Sequence, residues 1–263
     1  MGLQREIWEF VRRRVAYAIP LLVGITAWEI YVRDDPRLLF LFASPSRVLS
    51  RLLEDLYRGE LLHDFFITGL ETISGLVIGA SIGSVVGLSL WLSLPLARMA
   101  RPYVLAAGAT PIFAIAPMMV IWFGTGLFSK IMMAAISTLF IAVVQAYEGA
   151  RNTDAEMIAL VRAFGGGQLS VFRKVVIPSS LVWVVVACRL NIGFALLGAF
   201  IGEFISSNQG LGHYILKASG LYDVPRVLAG VFLMIALVAV LSGLLAIFER
   251  LVLPWRFHRL REA

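Results

Sequence analysis

Six runs of predominantly apolar residues, near 15–32, 65–92, 103–123, 127–147, 180–202 and 226–248, constrain this chain more than any other feature. Crossing about 30 Å of hydrocarbon as a helix takes about 20 such residues, and each run meets that requirement. A bilayer offers backbone amides no water, so the spanning segments must satisfy their own hydrogen bonds as helices. The expected fold is all-α: a polytopic membrane protein with about six transmembrane helices in a single domain, residues 1–263.

Hydrophobic residues make up 59% of the chain and charged ones 15%, outside the range of soluble domains. Extramembrane stretches reach only about thirty residues, too short to hold a catalytic module. The lone Cys188 excludes a disulfide framework or a cysteine metal site within the chain. The first run follows Arg12-Arg13-Arg14 without an evident cleavage site after it, which predicts an uncleaved signal anchor.

Lysine and arginine set the expected orientation. Arg5, Arg12, Arg13 and Arg14 lie at one terminus and Arg250, Arg256, Arg259 and Arg261 at the other. With six spans both termini share a side with the loops bearing Arg98 and Arg101, and Arg151, Arg162, Arg173 and Lys174. That side is expected to be cytoplasmic. The opposite loop, Arg33 to Leu62, holds five arginines, which weakens the bias without reversing it. Membrane topology thus accounts for the net charge of +6, and no nucleic-acid partner is needed. In the same loop Ser44-Pro45-Ser46 precedes Val48, Leu49, Leu52, Leu53 and Leu56, the pattern of an amphipathic helix on the membrane surface or the bundle.

Residues 153–178 interrupt the apolar runs with a charged, glycine-broken segment. Thr153-Asp154-Ala155-Glu156 has the spacing of a capping box, with Thr153 and Glu156 covering the first amides of a helix. Met157, Leu160, Val161 and Phe164 then recur at helical spacing, and Arg162 lies off that stripe. Gly165-Gly166-Gly167 ends the helix. A second short run puts Leu169, Phe172, Val175 and Val176 opposite Ser170, Arg173 and Lys174, and Pro178 is expected to block further helix.

Within the spans, Gly75, Gly79, Gly83 and Gly87 recur every four residues, giving a small face for an internal neighbour or a second subunit. Pro111 and Pro117 predict bends in the third run. Intramembrane polar groups are candidates for a translocation path or gate: Arg189 and Asn191 in the fifth run, Gln145 in the fourth and Glu71 in the second. For Arg189 the alternative is neutralisation by a carboxylate in the bundle. Glu203, like Glu71, falls near the external interface. His63, His213 and His258 have no metal-ligand spacing, and the Gly-x-Gly sequences at Gly124 and Gly210 lack the lysine of a phosphate loop. The chain is not expected to be an enzyme or to bind ATP or a metal.

The central segment resembles the EAA loop of binding-protein-dependent ABC importer permeases. Ala159-Leu160-Val161, Gly165, Val175 and Ile177-Pro178 fall in its register, with Ala159 where that loop has its glutamate and Glu156 one turn earlier. Ser44-Pro45-Ser46-Arg47-Val48, Ala116 to Gly124 and Ser206 to Gly212 resemble the nitrate, taurine and aliphatic-sulfonate branch. The resemblance implies a type I importer permease that imports a small solute, such as a sulfonate, taurine or nitrate, across the bacterial cytoplasmic (inner) membrane. The implied partners are a second permease subunit, expected to be another copy of this chain, a cytoplasmic ATPase dimer that binds ATP and Mg, and an external solute-binding protein. It further implies an ATPase-docking role for Glu156, Ala159, Leu160, Val161, Arg162, Phe164, Gly165 and Pro178. The competing function is a self-contained secondary transporter, for which inverted repeats are expected and none is evident.

Overall fold

The computed structural model describes residues 19–252, and the basic clusters Arg5 to Arg14 and Arg256 to Arg261 lie outside them, as do His258 and the start of the first apolar run. The described chain is built from α1 (19–33), α2 (Pro36–Phe42), α3 (Pro45–Arg58), α4 (Glu60–Leu90), α5 (Leu94–Gly108), α6 (Ile112–Phe123) and α7 (Leu127–Arg151). The short α8 (Ala155–Ala163) and α9 (Gln168–Val171) follow, then α10 (Ile177–Ser206), α11 (Leu211–Gly220) and α12 (Val224–Val252). Two compact units divide it: residues up to Glu60 with Ile215–Phe232, and Leu61–Tyr214 with residues from Leu233 onward.

In the first unit α3 starts where Ser44 caps the amide of Arg47, and it ends at Gly59. Val48 packs with Ala43 and Ala229, while Leu49 and Leu53 are more than half exposed. Arg226 bridges to Asp55 at 2.9 Å. The predicted amphipathic helix is therefore present, and it buries only part of its apolar stripe.

The second unit is organised around α7. The glycines of α4 supply the contact: a Cβ on Gly75 would sit 2.8 Å from the Ile131 carbonyl oxygen and 2.9 Å from the Ala135 nitrogen. Gly79, Gly83 and Gly87 face Ala135, Leu139 and Val143 of α7 in the same way. The four-residue glycine face is thus spent on an internal neighbour, and small residues let the two backbones approach closely. On the other side Ala134 of α7 meets Ala195 and Ala199 of α10.

Four helical stretches of the described residues are long and apolar enough to cross a membrane: α4, α7, the continuous stretch Gln168–Ser206, and α12. The third predicted run, 103–123, is not one straight helix. α5 and α6 meet at an 89° bend. Pro111 causes it, since it has no amide to donate and stands at an extended ψ of 121° as the N-cap of α6. Pro117 lies inside α6 without breaking it.

Pro178 also departs from expectation. The helix does not stop there but runs 39 residues from Gln168 to Ser206. Residues Phe172–Val176 form a π turn, and Pro178 falls in the first turn of α10 directly after it. The wider turn accommodates the missing amide that would otherwise end the helix.

Candidate functional site

The segment between α7 and α10 forms a short helix with two distinct faces. Its N-cap is Asp154, whose Oδ1 accepts the Glu156 amide at 2.9 Å. The cap therefore stands one residue later than the capping box places it, and Thr153 is buried instead. At the other end the Gly165 amide donates to Arg162 and the Gly166 amide to Val161, both at 2.9 Å. Gly165 holds φ +79°, a left-handed conformation that glycine adopts without steric cost.

Ile158 and Val161 pack inward on Ala150, Val171 and Val176, together with Leu88, Trp91 and Phe172. Trp91 stacks on Phe172 at 5.9 Å, and the Gln168 side chain donates to the Leu92 carbonyl at 2.8 Å. Val161, expected on one stripe with Met157, Leu160 and Phe164, instead shares the inward face with Ile158, three residues before it on the helix. Leu169, assigned to the apolar side of the second run, is 56% exposed, and Val171 takes the buried place.

The outer face is unusually apolar for an exposed surface. Met157 and Leu160 are each 53% exposed and Phe164 is 85% exposed. Glu156, Ala159 and Arg162 are exposed beside them. Pro178 lies apart, at the root of α10.

The four intramembrane polar residues fall in three places. Arg189 donates to Glu249 of α12 at 2.6 Å, with the carboxylate side chain 3% exposed and the guanidinium side 55% exposed. Arg189→Leu would strand that buried carboxylate, and a loss of about 1–2 kcal/mol is expected, discounted because the arginine is half exposed. A lower unfolding temperature with normal uptake per folded molecule is the expected result. Normal stability with lost uptake would instead assign Arg189 to the path.

Asn191 is buried and donates to Gln145 at 3.1 Å, tying α10 to α7. Glu71 joins a different group, with Glu203, Thr68 and Lys130. Thr68 donates to Glu203 at 2.6 Å and accepts the Leu211 amide at 2.8 Å, and Glu203 also accepts the Gly212 amide at 2.6 Å. The buried Lys130 was absent from the sequence candidates, although a cation four residues into an apolar span was a visible signal.

A cavity of about 210 Å³ lies beside the α5–α6 break, lined by Thr110, Pro111, Ile115, Ser137, Phe140 and Phe194 among others. α6 begins at this break with no side-chain cap.

Residues 75–254 match the family described as "Binding-protein-dependent transport system inner membrane component". The match takes in the helices α7 to α10 and the exposed α8 between them, and this chain belongs to that family. It is the membrane-spanning permease subunit of an ABC importer, for which ATPase and binding-protein subunits are partners and ATP hydrolysis is the partners' work. The formylaminopyrimidine transport permease protein ThiX of Halalkalibacterium halodurans is 29% identical over 244 residues, 89% of this chain and 93% of that protein. The putative aliphatic sulfonates transport permease protein SsuC of Bacillus subtilis is 25% identical, over 81% of this chain and 77% of that protein. Among solved structures, an inward-facing MetNI methionine ABC transporter has the same fold, with a TM-score of 0.66 and 19% identity, over 74% of this chain and 97% of that one.

Proposed function

We propose that α8 is the coupling helix of a bacterial importer, docking on a cytoplasmic ATPase through Met157, Leu160 and Phe164 with Arg162 at the rim. The observation behind this reading is that exposed apolar face on a helix rooted, through Ile158 and Val161, against the ends of α4 and α7 and the π turn that leads into α10. Glu156 and Ala159 border the docking face, Gly165 sets the reversal, and Pro178 starts the span that receives the motion. Residues 153–178 then form the coupling loop of a single permease domain. Two copies of this chain line the pathway above two ATPases that bind ATP and Mg, in the cytoplasmic membrane, with both termini on the cytoplasmic side.

The cargo in this reading is a small oxyanion such as a sulfonate, taurine or nitrate. One relative named for aliphatic sulfonates supports it, as does the uncapped α6 N-terminus beside the Thr110 and Ser137 cavity, since helix N-termini favour anions. A relative of similar identity is named for a formylaminopyrimidine, which fits a pathway of loose selectivity with choice made by the external binding protein. Proteoliposomes holding this chain with its ATPase and binding protein are expected to take up sulfonate only with ATP. Substrate-specific uptake by the chain alone, without ATP, would instead make it a secondary transporter.

A further inference from the structure

Near the loops that follow α6 and α10, three buried charged residues are brought together by the packing of α4, α7 and α10. Glu71 is 1% exposed, Lys130 2% and Glu203 0%. Lys130 is fully committed, because its ammonium donates to the carbonyls of Thr125, Gly126 and Ser206 and has three donors in all. Glu203 is committed as well, through one oxygen to Thr68 and the other to the Gly212 amide. Glu71 meets the Glu203 carboxyl on one side, and its Oε2 is buried without any partner.

Glu71 is also part of the wall of a cavity of about 260 Å³, with Thr125, Gly126, Lys130, Asn208 and Gln209. None of the polar groups in this wall reaches the Glu71 Oε2 with a hydrogen bond. We propose that this cavity binds a small molecule carrying a protonated amine, with the Glu71 carboxyl accepting its N–H. An anion fits poorly, since the one cation in the wall has no donor left. Calcium and magnesium take six or more oxygen ligands, and no group of three histidine, cysteine or acidic side chains suits a metal ion among the described residues. The proton that the Glu71 and Glu203 carboxyls share leaves the Glu71 Oε2 as an acceptor, and an ammonium held there has the Thr125 hydroxyl and the Asn208 amide oxygen in the same wall to complete its shell. The volume lies below the range of about 300–1,000 Å³ for drug-sized ligands, which limits the occupant to a few heavy atoms or a headgroup. The amine can belong to a free solute or to the ethanolamine of a lipid.

The placement of this cavity at the external mouth of the pathway rests on the topology proposed above, but binding can be measured without transport. The full chain, in detergent free of aminolipid, is titrated with ethanolamine, with taurine, and with ethanesulfonate, which keeps the sulfonate and lacks the amine. Ethanolamine and taurine are expected to raise the unfolding temperature and ethanesulfonate to leave it unchanged. Glu71→Gln should weaken ethanolamine binding about tenfold or more. Asn208→Trp changes an exposed wall position and should block the cavity while leaving Glu71 in place, so it decides the matter if Glu71→Gln does not fold. Stabilisation in phosphatidylethanolamine over phosphatidylcholine nanodiscs, lost in either variant, would support the site and assign the amine to lipid. An equal response to ethanesulfonate, amine binding unchanged in the variants, or no response to any amine in detergent or nanodiscs would overturn the proposal. ATP-driven uptake measured separately shows whether the importer reading fails independently.

Discussion

Gly75→Val is expected to destabilise the second unit by about 3 kcal/mol. The added carbons would meet the Ile131 carbonyl oxygen at 2.8 Å and the Ala135 nitrogen at 2.9 Å, which are backbone atoms that no side-chain rotation can move aside. Relief would require α4 and α7 to separate, and the successive contacts at Gly79, Gly83 and Gly87 would be loosened with them. Gly243→Val is the control, because a Cβ there meets nothing within 4 Å. Purified variants should show a large fall in unfolding temperature for the first and little change for the second. Equal unfolding temperatures for Gly75→Val and the unsubstituted protein would refute this account of the helix pair.

Phe164→Ala is expected to leave stability unchanged, because a side chain 85% exposed makes few contacts within the chain. Its effect should appear only with the ATPase present. Truncating an aromatic at the centre of an interface commonly costs 2 kcal/mol or more, about thirtyfold in affinity. ATPase stimulation by loaded binding protein should fall by about that factor, and Leu160→Ala should act in the same direction. Gly165→Val tests the turn rather than the face: a Cβ there has open space, so its penalty comes from the left-handed φ of +79°. It should impair coupling with membrane insertion intact. Undiminished stimulation in Phe164→Ala and Gly165→Val would count against α8 as the docking element.

Local signals in the sequence were legible where a single segment determines the outcome. The glycine turn at Gly165, the amphipathic α3 and the long apolar helices all follow from nearest-neighbour chemistry. Proline was ambiguous for the same reason: Pro111 breaks its span, whereas Pro117 sits inside α6 and Pro178 follows a π turn into α10 without ending the helix. What sequence could not supply was partnership between distant segments. The α4 glycines fit an internal face or a subunit interface equally well until α7 is seen against them. Arg189 lies sixty residues from Glu249, and Val161 faces inward only because Trp91 and Phe172 meet beneath it. Glu71 and Glu203 were visible as isolated acids, but their meeting with Lys130 depends on three helices packing at one depth.

The uninterrupted stretch from Gln168 to Ser206 has a mechanical consequence. At 1.5 Å per residue, its 39 residues make a lever arm of about 58 Å. Tilting such an arm by about 5° at the α8 end displaces its far end by about 5 Å, roughly one helical turn. In the coupling proposed above, the π turn at Phe172–Val176 stands close to the driven end of that arm. A bend at that point would cost the arm little of its reach, because almost all of its length lies beyond it.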